Sequence, residues 1–230
     1  MDSPPKPFLN ASARCSVNSI VSLRWLWIGA LVLPAIAGDS GLDALLKNVE
    51  TRYNHAKSLQ VSFNETYTGA GQMRRAELGV LFLSKPGRMR WEYSQPKGKL
   101  FISDGKLLWL YTPADNRAEK MSLKETGDMR APLAFLLGKL NFQKEFRNIQ
   151  GRAEAGGTHI SAEPVSGDLP YTAVEFLVTA DFRIREVTVT GYDRSVLHYA
   201  FDAEKVDPPL AAALFHFTPP PGAEVVESEQ

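Results

Sequence analysis

The chain has 230 residues, 44% of them hydrophobic and 23% charged, a balance that supports a packed core and excludes a disordered chain. Basic and acidic residues number 26 each, so no positive excess points to nucleic acid or to an anionic membrane surface. The one cysteine, Cys15, excludes an intrachain disulfide.

From the amino terminus, Ser22-Leu23-Arg24 leads into the apolar run Trp25 to Leu33 and then Ala35-Ile36-Ala37. A basic flank, an apolar stretch of about 13 residues and an A-x-A site describe a cleavable export signal, because a bilayer-spanning helix needs about 20 residues. Residues 1–37 are therefore expected to be an amino-terminal extension plus signal peptide, cleaved near Ala37. Residues 38–230 form a single exported domain, mildly negative, expected to be soluble and periplasmic. Cys15 precedes the apolar run, so it is not placed to become a lipid-modified mature terminus.

After Asp39 and Ser40, Leu42, Leu45, Leu46, Val49, Tyr53 and Ala56 recur at helical spacing. From Leu59 the period becomes two. Leu59, Val61 and Phe63 begin a strand, Gly69-Ala70-Gly71 turns it, and Ala76, Leu78, Val80 and Phe82 line the next. In Lys85-Pro86-Gly87-Arg88-Met89-Arg90-Trp91-Glu92-Tyr93-Ser94-Gln95-Pro96, charged and large apolar residues alternate as on a strand with one wet and one dry face. Asp104-Gly105 is a hairpin turn before Leu107–Thr112. Further strands are expected at 117–122, 142–150, 158–163, 171–179, 184–192 and 196–206. So long a meander must curl to shelter its dry face, as a barrel, half-barrel or sandwich.

Ala131 to Leu140 interrupts the rhythm as a short helix apolar on nearly every side, which needs cover all round. Leu210 to Leu214 is expected to form a helical turn.

Three tracts, namely the basic residue before Pro with its aromatic strand ending in Gln-Pro, Ser103-Asp104-Gly105-Lys106-x-Leu108-Trp109-x-Tyr111-x-Pro113, and Phe215-x-Phe217-x-Pro219-Pro220, resemble the LolA family of periplasmic lipoprotein carriers. The resemblance runs from about Leu42 to Val226. It implies a mainly β (α+β) fold, a single antiparallel sheet curled into an incomplete β-barrel, with the amino-terminal helix and the short apolar helix covering a hydrophobic cavity. It also implies acylated lipoproteins as cargo, an inner-membrane lipoprotein-releasing ABC transporter as donor, a LolB-like outer-membrane receptor as acceptor, and a monomer without cofactor. In this family a basic residue, usually Arg, ties the lid to the barrel through backbone hydrogen bonds. Lys85 stands at that position, with Arg88 and Arg90 as substitutes.

The expected cavity lining is Met89, Trp91, Tyr93, Leu100, Ile102, Trp109 and Tyr111, with Leu133, Phe135, Leu136 and Leu137 from the lid helix. The facing of Leu107–Thr112 is open, since Leu108 with Leu110 serves as well as Trp109 with Tyr111. Alternation alone favours a solid core; the export signal, the curled sheet and the apolar helix available as a lid are what point to a cavity. A second reading keeps the fold but makes the protein a LolA-like carrier or sensor for another envelope lipid, a glycolipid or pigment lipid. An envelope hydrolase is the remote third: His55, His159, His198 and His216 are scattered, and no H-E-x-x-H, G-x-S-x-G or metal-ligand spacing is present. No enzymatic activity is expected.

Overall fold

Seventeen residues, Asp39–His55, form helix α1, whose Leu46, Val49 and Tyr53 fall on one face and are buried. The computed structural model describes residues 39–69, 74–122 and 140–227. All of them belong to one compact unit spanning Ile36–Gln230.

The strands are β1 (Ser58–Thr68), β2 (Arg74–Ser84), β3 (Arg88–Gln95), β4 (Leu100–Asp104), β5 (Leu107–Thr112), β6 (Arg117–Ser122), β7 (Phe146–Glu154), β8 (Gly157–Pro164), β9 (Tyr171–Val178), β10 (Ile184–Gly191), β11 (Val196–Val206) and β12 (Glu224–Glu227). They make one sheet in the order β12-β6-β5-β4-β3-β2-β1-β11-β10-β9-β8-β7. Every pairing is antiparallel except that of β12, which the sequence pattern did not reveal and which lies parallel to β6.

The sheet is open, with β12 and β7 at its two ends, and it is strongly curled. Trp91 on β3 and Tyr199 on β11 lie three strands apart in the sheet, about 14 Å if it were flat. Their ring centroids are 5.3 Å apart. Curling thus brings both halves of the sheet into a single core with α1.

A close approach of backbone and ring assists the bend. Phe63 lies across Gly79 on β2, and a Cβ there would come within 2.8 Å of the Phe63 ring and closer still to the Glu92 carbonyl oxygen. The ring also meets Trp91 and Tyr93 edge-on, at 4.8 and 5.1 Å.

Two local expectations change. Strand β7 begins only at Phe146, because Phe142–Glu145 is a helical turn, α2, with the Asn141 side chain accepting from the Lys144 N–H. The turn expected at 210–214 is a 3₁₀ helix at Ala212–Phe215. The apolar helix expected at 131–140 and the leader at 1–37 lie outside the described residues, Leu140 excepted.

Candidate functional site

Pairing register decides which side chains share the concave face. Leu59, Leu83, Met89, Ser103, Leu108 and Met121 form one row across the sheet. Val61, Leu81, Trp91, Phe101 and Leu110 form the next, and Phe63, Gly79 and Tyr93 a third. Met89, Trp91 and Tyr93 therefore sit together as expected, on the buried face beside α1.

Leu100, Ile102, Trp109 and Tyr111 do not join them. Trp91 pairs with Phe101, so Leu100 and Ile102 fall opposite Glu92 and Arg90 on the convex face. Trp109 and Tyr111 pair with Ile102 and Leu100 and follow them there. Leu108 and Leu110 take the concave positions. The convex aromatics are apolar for a different reason: the carboxy-terminal segment packs on them, with Phe217 5.5 Å from Trp109 and 5.7 Å from Tyr111.

Arg88 and Arg90 serve the same cover. The Arg88 guanidinium lies 5.5 Å over the Phe215 ring and donates to Ser84 Oγ. Arg90 donates to the Leu214 carbonyl at 3.3 Å and pairs with Glu92. Through Phe215 and Leu214 the two arginines fasten the carboxy-terminal segment to the sheet.

Lys85 stands apart. Its Nζ donates to the Tyr53 carbonyl oxygen at 2.6 Å, in the last turn of α1, where unpaired carbonyls carry the negative end of the helix dipole. Burial lowers the Lys85 pKa, and the nearby Asp207 charge works against that shift. The basic residue before proline is thus bonded to the last turn of α1.

Further attachments hold the same end of α1, none of them evident from sequence periodicity. The Tyr53 hydroxyl donates to Glu204 at 2.8 Å and accepts from the Ile184 N–H at 2.9 Å, while Arg52 pairs with the other Glu204 oxygen. Burial pushes the Tyr53 phenol far above its usual range, with the Glu204 charge adding to the shift. The Asn54 amide takes both backbone groups of Leu140, and Glu50 accepts from the Phe142 N–H. The chain that follows the expected lid segment is therefore stapled to α1. Leu133, Phe135, Leu136 and Leu137 themselves lie outside the described residues.

Beneath α1 a void of about 20 Å³ remains between Tyr53, Leu59, Val61, Leu81, Leu83, Ile184, Phe201 and Glu204. At the amino end of the helix an apolar groove of about 320 Å³ runs between Leu42, Leu45, Gly151 and Phe182. Among the described residues, Tyr53 of α1 and its neighbours leave little room at this place on the concave face.

The family described as "Outer membrane lipoprotein carrier protein LolA" matches residues 54–218. The chain belongs to the LolA family. Two curated members of similar sequence are named outer-membrane lipoprotein carrier protein. The one from Chromobacterium violaceum is 27% identical over 176 residues, covering 76% of this chain and 83% of its own length. The one from Pectobacterium carotovorum is 27% identical over 208 residues, covering 90% and 99%. The solved structure of a LolA superfamily protein from Nitrosomonas europaea aligns with 76% of this chain and 97% of its own, at 10% identity and a TM-score of 0.44. The LolA match takes in Lys85, both faces of the sheet and the carboxy-terminal cover.

Among the described residues no group of His, Cys, Asp and Glu is gathered to hold a metal ion, and no helix is long and apolar enough to cross a membrane. His159 meets Glu175, and His198 meets Thr188.

Proposed function

We propose that this protein is a soluble periplasmic carrier, released from its leader near Ala37, that takes acylated lipoproteins from an inner-membrane ABC transporter and passes them to a LolB-like outer-membrane receptor. The observation that carries the reading is the row Val61, Leu81, Trp91, Phe101 and Leu110: an unbroken apolar band under a helix whose end is tied down by polar contacts. Membership of the LolA family and the names of its curated relatives support the class of cargo.

The energetics fit a carrier. Each methylene removed from water is worth about 0.8 kcal/mol, so a typical acyl chain resists the aqueous compartment by roughly 10 kcal/mol. The polar contacts at the end of α1 each contribute about 1 kcal/mol net. Burial of one chain outweighs the loss of those polar contacts, and the acyl chains take over the apolar cover that Leu46, Val49 and Tyr53 otherwise share with the sheet, so the helix lifts when cargo enters. Release follows a difference in affinity, with the receptor's site holding the chains more tightly. The carrier reaction breaks no covalent bond.

The two faces of the sheet supply the test. In the processed chain carrying Trp109→Phe, Trp91 is the sole tryptophan, and in the chain carrying Trp91→Phe, Trp109 is. A triacylated lipopeptide with brominated chains should quench Trp91 and leave Trp109 bright. Quenching of Trp109 alone, or of neither, would refute a concave binding face.

A further inference from the structure

The ladder between β10 and β11 stops at the Glu186–Ala200 pair, although both strands continue. Beyond it β11 remains with β1 only, and Ala203 and Glu204 stand opposite the single residue Val61 between the Ser62–Asp202 and Gln60–Lys205 pairs, one residue more than the ladder needs. Ala203 has a φ of 53°, in the left-handed region, as a bulge requires. The bulge shifts the alternation by one, so Glu204 points to the concave side, onto Arg52 and Tyr53.

The sheet wall is therefore split, and the split contains a cavity of about 500 Å³ whose outer part is polar, with Ser62, Asn64, Arg185, Glu186 and Asp202. On the other side lies the small void beneath α1, walled by Leu59, Val61, Leu81 and Leu83. Ile184, Phe201 and Glu204 border both spaces, so these three side chains are the partition. Glu204 has only 9% of its side chain exposed and is held in place by the last turn of α1.

We propose that this split is a gated side port that binds a single-chain zwitterionic amphiphile, a lysophospholipid, tail inward and head outward. Inside the partition the lining is hydrocarbon. Outside it, the Arg185 guanidinium has no ion pair among the described residues and faces a phosphate, while Glu186 and Asp202 face an ammonium. The inner void of about 20 Å³ is too small for a tail while α1 is seated, so a tail enters only as these three side chains move aside. Since Glu204 is held by α1, lifting the helix and opening the port are one movement. The inference rests on the split sheet and adds a second ligand to the carrier reading.

Palmitoyl-lysophosphatidylethanolamine, titrated calorimetrically into the processed protein below its micelle concentration, should bind saturably. Arg185→Ala, at an exposed position, should weaken binding about tenfold or more through loss of a charge-assisted bond. Ser62→Trp, which fills the cavity from its solvent side, should abolish it, and Glu204→Gln should speed association about tenfold as the hold on Arg52 relaxes. Should Ser62→Trp fail to fold, judged by circular dichroism, Arg185→Ala decides alone. Absence of saturable binding, or binding indifferent to Arg185→Ala, overturns the port. Lipopeptide quenching of Trp91 would leave the carrier reading standing in either case, and the expected lysolipid pattern without lipopeptide binding would uphold the port while removing the carrier.

Discussion

Lys85 does by geometry what a guanidinium does more firmly: a single ammonium reaches one carbonyl, that of Tyr53, at 2.6 Å. A hydrogen bond to a charged group is worth about 1.5–3 kcal/mol, but burial of the ammonium offsets part of it, so Lys85→Met should change stability by about 1 kcal/mol or less. It should nonetheless hasten uptake of an acyl probe, because α1 lifts more readily, and Lys85→Arg should restore the wild-type rate. A lowered Tm with unchanged uptake kinetics would make Lys85 a structural residue only. Gly79 is the opposite case, with structural weight and no functional group. The Phe63 ring and the Glu92 carbonyl occupy the room a Cβ needs, so Gly79→Ala should cost about 3 kcal/mol in chemical denaturation.

Helix α1 is held unevenly. Its carboxy-terminal turns meet Lys85, Glu204, Ile184, Leu140 and Phe142, whereas its amino-terminal turns border the open groove by Leu42 and Phe182. The next junction, where the chain enters β1, is held by Asp207, whose carboxylate accepts from the backbone N–H groups of Lys57 and Ser58 at 2.6 and 3.2 Å. The first of these bonds, then the second, hold the Asp207 pKa below its usual value despite some opposing desolvation. A depressed carboxylate pKa contributes stability that is fully present above the ordinary carboxylate range and is lost as pH falls through the folded-state value. Tm should therefore decline on the acid side below about pH 4, and Asp207→Asn, which keeps an acceptor oxygen but no charge, should flatten that decline. An unaltered acid slope in this variant would remove Asp207 from the account.

Across the whole molecule, β4 and β5 are apolar on both faces for different ends. The concave face meets α1, and the convex face of β3, β4 and β5 is covered by the chain terminus through Phe215 and Phe217. Phe215 is fully buried there, so Phe215→Ala should cost about 3–5 kcal/mol, as large core truncations do. Binding of brominated lipopeptide, read through Trp91, should be nearly unchanged in the folded fraction. A marked loss of binding would mean that the two faces act together.

The sequence alone determined the amphipathic helix, nearly all strands of the meander and the family, because periodicity, turn residues and short motifs are local properties. It also placed Met89, Trp91 and Tyr93 on one face, since alternation within a strand needs no partner. Alternation cannot say how one strand slides against the next, and a shift of one residue exchanges the faces. That is why Trp109, Tyr111, Leu100 and Ile102, expected in the lining, lie on the convex face, where Phe217 meets Trp109 and Tyr111. The Glu204 contacts, the parallel strand β12 and the filling of the space under α1 join residues far apart in the chain. Only the tertiary structure decided these, because curling the sheet is what brings its distant strands and helix α1 within reach of one another.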